Sequence, residues 1–203
     1  MKKDQLLLKE IKACTICQDL PLGPNPILQF SAKAKILVAG QAPGQITHQK
    51  SRPFDDASGE RLRDWLGVDK EIFYNPEKLA VVPMGFCYPG KGKSGDLAPK
   101  TICAETWRRK ILDVLPNIEL TLVIGKYAMD WHLPDRKEKN LTETVKNWRH
   151  YLNFEQPVLP LPHPSPRNNI WLKKSPWFEL ELLPVLKQRV KRLLEPTEGE
   201  SGE

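Results

Sequence analysis

The chain is expected to be an α/β protein, a three-layer αβα sandwich around a central four-stranded parallel sheet. Four short apolar runs, at residues 36–39, 79–84, 119–124 and 156–161, have the continuous hydrophobicity of strands buried on both faces. Between them lie stretches of helical period, and strands alternating with helices argue for parallel strands joined by crossovers. The first run, Ile36-Leu37-Val38-Ala39, breaks at Gly40-Gln41-Ala42-Pro43-Gly44. Two glycines and a proline impose a sharp exposed turn there. In open α/β sheets, ligands sit in the loops leaving the carboxyl ends of strands.

The elements follow in order. Leu6, Leu7, Ile11 and Ala13 give a short helix over 4–13 that delivers Cys14-Thr15-Ile16-Cys17. The proline-rich residues 21–26 are a rigid surface connector. After the GQAPG turn and a polar loop comes Pro53-Phe54-Asp55-Asp56, then a helix over 58–66. Its apolar positions are Leu62, Trp65 and Leu66, its cap is Ser58, and Gly67 ends it. Pro83 closes the second strand. Residues 88–100 are a loop rich in glycine and lysine, and 101–115 place Trp107, Ile111, Leu112 and Leu115 on one helical face. A third strand leads through Gly125 to a short helix ending at His132. Residues 134–140 are a charged loop, and 141–152 are helical. The fourth strand runs into Leu161-Pro162-His163-Pro164-Ser165-Pro166-Arg167-Asn168. Ser175-Pro176 starts a terminal helix that Pro184 kinks or restarts.

With 203 residues, 40% of them hydrophobic and 28% charged, one ordinary globular domain over 1–194 is expected. Residues 195–203 carry four acids and no base and read as a disordered acidic tail. The net charge of +6 therefore hides a still more basic body, compatible with a polyanionic partner. No apolar run approaches the roughly 20 residues of a membrane span. Glu10 and Lys12 interrupt any signal-peptide core, so a cytoplasmic protein is expected, by default a monomer. Walker and GxGxxG signatures are absent, which argues against nucleotide-phosphate chemistry.

Four cysteines in such a protein are unsuited to disulfides. Cys14 and Cys17 form a CxxC pair, and Cys87 and Cys103 lie further on. The two pairs either meet as a four-thiolate metal site or are four unrelated reduced thiols.

In combination, GQAPG, the Pro53-Phe54 pair and the late His163-Pro164-Ser165 motif resemble the uracil-DNA glycosylase superfamily, closest to its iron–sulfur branch, from about Cys14 to about Asn168. That resemblance implies a DNA glycosylase of base excision repair, cleaving the N-glycosidic bond of uracil or another deaminated or damaged base. It implies a 4Fe–4S cluster on Cys14, Cys17, Cys87 and Cys103, ahead of zinc. It makes His163 the donor to the leaving base and Phe54 the stacking platform. Gly40, Gln41, Ala42, Pro43 and the residue at position 83 would line the base pocket. Ser165, Pro166, Arg167, Lys91 and Lys93 would meet DNA.

Two positions depart from the pattern. Gln41 stands where the iron–sulfur branch has a water-orienting glutamate, and an amide positions water without accepting its proton. The carboxylate would then be supplied by Asp55 or Asp56, unless these cap the following helix; His48, at a position usually acidic in the family, is another candidate. Pro83 stands where the family has an asparagine that grips the base edge, and a proline side chain offers neither donor nor acceptor. The alternative to an enzyme is a superfamily member that binds nucleic acid or a nucleotide without cutting.

Overall fold

The computed structural model describes residues 2–135 and 137–195, so the tail expected over 195–203 lies, except for Glu195, outside the described residues. The four main strands are β1 (Ile36–Ala39), β2 (Leu79–Val81), β5 (Leu120–Ile124) and β6 (Val158–Leu161). They form one parallel sheet in the order β2-β1-β5-β6. A small antiparallel hairpin, β3 (Lys91–Gly92) with β4 (Gly95–Asp96), stands apart from it.

Side chains alternate across each strand, and the two faces of the sheet are covered separately. Ile36, Val38, Leu79 and Val81 join a core closed by Leu62, Trp65, Met129, Trp148, Phe178 and Leu186 from helices on one side. Leu37, Ala80 and Val82 join a second core with Ile11, Trp107 and Ile111 on the other. The sandwich is therefore αβα, with the longest apolar runs in the middle layer. Among the described residues no helix is long and apolar enough to cross a membrane.

Prolines within strand sequence fall where they do no damage. Val82 and Met84 donate to Val38 and Gly40, so an N–H at position 83 would point away from β1. Thr121 and Gly125 donate to Pro157 and Leu161, which turns position 160 away from β5. Both β2 and β6 are outer strands, so neither ladder loses a bond.

Several local expectations are corrected. The polar stretch after GQAPG contains a helix, α2 (Gln45–Lys50), too short to have an apolar stripe. The next helix, α3 (Ala57–Leu66), is capped by Asp56, whose side chain accepts from Gly59 N–H at 2.9 Å; Ser58 is buried inside its first turn. The 88–100 loop holds the β3–β4 hairpin. The stretch expected as one helix over 141–152 is two, Leu141–Lys146 and Trp148–Leu152. The helical stretch before Pro184 widens into a π turn, Phe178–Leu182, where the missing proline N–H is absorbed.

Candidate functional site

A cavity of about 640 Å³ opens above the carboxyl ends of β1, β2 and β6. Its floor is the GQAPG turn. The carbonyls of Gly40 and Gln41 accept the N–H groups of Met84 and Gly85, both at 2.9 Å, so the chain beyond β2 is stitched along the turn. Gly40 lets the ring lie close, since a Cβ there would stand 3.2 Å from Cζ of Phe54 and press on it.

Phe54 is held in the left-handed region at φ +52°. Such a conformation persists for a bulky residue only when its surroundings over-determine it. Here its carbonyl accepts from Arg63 Nη1 and from the Tyr74 hydroxyl, each at 3.2 Å. A Cβ on Gly59 would lie 1.7 Å from that carbonyl, so α3 can start beneath the Phe54 loop only with glycine at this position. The ring meets Phe73 edge-on at 6.3 Å, and half-buried Phe54 both anchors to the core and lines the cavity.

His163 enters from the loop after β6. Ser165 N–H points at its Nδ1 at 3.2 Å, and Asn168 Nδ2 donates to its carbonyl at 2.7 Å. An N–H aimed at Nδ1 needs a lone pair there, so the neutral ring carries its proton on Nε2. Burial lowers the His163 pKa from the ordinary value, and the nearby Asp56 and Asp96 carboxylates oppose the shift without reversing it. The imidazole is thus a neutral Nε2–H donor on a rigid loop.

Most of the expected site residues come together. Gly40, Gln41, Ala42, Pro43, Phe54, Asp56, Pro83, His163, Ser165, Arg167 and Lys91 all line the cavity. Asp55 does not; its carboxylate lies 3.7 Å from Lys50 Nζ. Pro166 and Lys93 are exposed and lie outside the cavity wall. His48 also lies outside it, with Nδ1 buried and without a hydrogen-bond partner among the described residues. Ser58, Ser94 and Asp96 line the cavity without having been expected. The last two lie on the hairpin, where glycines signal a turn but two-residue strands offer no alternation to read.

The sequence profile of the uracil DNA glycosylase superfamily matches residues 28–187. The chain belongs to the uracil-DNA glycosylase superfamily. Among curated relatives, it is 24% identical over 165 residues to a type-4 uracil-DNA glycosylase of Sulfurisphaera tokodaii, covering 77% of this chain and 72% of that protein. The match spans the first, second and last cavity loops, so the superfamily frame and the cavity coincide.

The four cysteines of this superfamily member also converge. Cys14 and Cys17 lie in the irregular stretch after α1 (Lys3–Lys12), Cys87 lies in the stretch beyond β2, and Cys103 ends the short helix Thr101–Cys103. Burial, with smaller contributions from nearby Cys87, Cys17 and Cys14, raises the Cys103 pKa to about 12. Cys87 is raised likewise, first by burial and then by Cys17 and Cys14. Two sulfurs already face amide donors: Asn25 N–H to Cys87 at 3.3 Å and Phe86 N–H to Cys103 at 3.4 Å. Among the described residues no three His, Cys, Asp or Glu side chains are drawn together as ligands of a metal ion. Four thiols near one another, two of them with an amide donor on sulfur, nonetheless carry the ligand type of a thiolate-bound cluster, whose sulfurs accept such bonds.

Pro83 lies in the wall of the superfamily cavity and gives it no hydrogen bond. The segment is fixed from behind instead. Arg108, only 1% exposed, donates from Nη1 to the carbonyls of Val82 at 3.0 Å and Pro83 at 3.2 Å. Its Nη2 lies 2.7 Å from His132 Nε2, and since guanidinium only donates, that nitrogen is the acceptor. Burial lowers the Arg108 pKa to about 9, so the cation is retained at neutral pH. Burial, reinforced by Arg108, drives His132 down to about 3.

Proposed function

We propose that this protein is a monofunctional DNA glycosylase that hydrolyses the N-glycosidic bond of uracil or another deaminated base in DNA, opening base excision repair. The observation that carries this reading is the donor state of His163, neutral and with its Nε2–H free for the cavity. Cleavage leaves negative charge on the departing base and positive charge on the sugar. A preorganised donor aimed at the base stabilises the first of these without having to reorganise. Phe54 offers a face to a flipped base, a contact worth about 1–3 kcal/mol. Gln41 or Asp56 holds the water; Lys91, Arg167 and Ser165 at the mouth, with Lys93 and Pro166 beyond it, meet the phosphates. Residues 1–194 act as one domain, a cytoplasmic monomer.

The test is abasic-site formation on single strands and duplexes carrying uracil, then hypoxanthine and xanthine. Strand scission at the modified position after alkaline treatment is the expected result. Silence on every base, with DNA binding intact, would favour the non-cutting binding module, the reading that Pro83 and Gln41 support.

The cofactor in this reading is a 4Fe–4S cluster held by Cys14, Cys17, Cys87 and Cys103. It would tie the end of α1 to the segments that flank the cavity, a structural role. Anaerobically purified protein is expected to be brown, with broad visible absorption that Cys17→Ser loses; a colourless protein with stoichiometric zinc would overturn this.

A further inference from the structure

The glycosylase reading leaves one role without a convincing occupant, the carboxylate that faces the sugar. Gln41 cannot accept a proton. Asp55 lies outside the cavity wall, and Asp56 gives an oxygen to the first turn of α3. The remaining acid on the cavity wall is Asp96.

The hairpin places it firmly. Asp96 pairs with Lys91 in the ladder, and Leu97 N–H donates to Gly90 at 2.8 Å to close its base. Arg167 Nη1 reaches over from the histidine loop to the Ser94 carbonyl at 3.2 Å. Gly95 permits that crossing, since a Cβ there would stand 2.5 Å from Arg167 Nη1. The carboxylate is carried against the GQAPG turn, with Oδ2 3.4 Å from where a Cβ on Gly44 would be. Among the described residues it has no hydrogen bond and no ion pair, although Lys91 and Arg167 share the mouth. It is close enough to His163 to act on that ring. Exposed Asp96 thus shares the cavity wall with Phe54 and His163, and Lys91 and Arg167 stand beside it.

We propose that Asp96 is the catalytic carboxylate of this site, facing C1′ of the flipped nucleotide; the assignment rests on the glycosylase reading. The C1′–N bond breaks with its electron pair leaving on the base, which His163 Nε2–H stabilises. Asp96 offsets the positive charge at C1′ and faces the water held by Gln41 or Asp56, whose oxygen bonds to that carbon. The water proton passes to the carboxylate and on to solvent, and the base anion takes a proton from solvent.

Single-turnover excision by the full chain and its Asp96→Asn variant is measured beside binding to two duplexes. One carries a neutral tetrahydrofuran at the target position and the other a cationic pyrrolidine. Asp96→Asn is expected to slow excision about 10²-fold. Wild type is expected to prefer the cationic duplex, and the variant to lose that preference while binding tetrahydrofuran unchanged. A preference that survives in Asp96→Asn overturns the assignment whatever the rate does. Excision by wild type with an unaltered variant overturns Asp96 alone, whereas wild-type silence on every base overturns the glycosylase reading and this role with it.

Discussion

Replacing His163 with alanine is expected to slow base excision about 10²–10³-fold while leaving DNA affinity nearly unchanged. The ring is half-buried and receives its hydrogen bond from the Ser165 N–H of its own loop, while the Asn168 bond to the His163 carbonyl survives its removal, so the fold has little stake in it. What the variant loses is a donor that matters only as charge develops on the leaving base, which places the loss in the chemical step. The pH profile carries a second signature. Burial lowers the His163 pKa, so the neutral ring persists below the usual histidine range. Protonating Nδ1 would set it against Ser165 N–H and disturb the loop. The acid limb of the wild-type profile is therefore expected below pH 6.5 and absent from residual activity in His163→Ala. An unchanged single-turnover rate in the variant would remove His163 from the mechanism.

Replacing Arg108 with methionine is expected to destabilise the fold by about 3 kcal/mol or more, because three buried acceptors lose their donor at once. They are the Val82 and Pro83 carbonyls and His132 Nε2. A denaturant midpoint lowered with little change in slope would record it; an unchanged midpoint would refute it. The same cluster sets a pH dependence. His132 has a folded pKa of about 3 against an ordinary 6.5, so the unfolded chain binds its proton first. Its contribution is complete above pH 6.5 and is lost as pH falls toward 3, by up to about 1.4 kcal/mol per unit. His132→Gln, whose amide oxygen can still accept from Arg108, is expected to flatten the melting-temperature slope across that window. The same slope in both proteins would exclude His132.

Both effects concern groups that differ in how far the sequence discloses them. His163 stands out because prolines on both sides and a strand before it mark a rigid loop. Arg108 does not, because an arginine in an amphipathic helix reads as a solvated charge. Its burial follows from the π turn Ala104–Arg108, which rotates it toward the chain beyond β2.

The sequence by itself determined the strands, the parallel sheet and the residue types on the cavity floor, because hydrophobic runs and the Gly/Pro turn of residues 40–44 act within a few residues. Tertiary structure decided everything that depends on groups distant in the chain. It separated Asp56, a helix cap on the cavity wall, from Asp55, which pairs with Lys50 outside that wall. It set the strained Phe54 on contacts from Arg63 and Tyr74 and carried Asp96 to the histidine loop through Arg167. Such placements arise from packing and hydrogen bonds between separate elements, and these leave no periodicity in the chain to read.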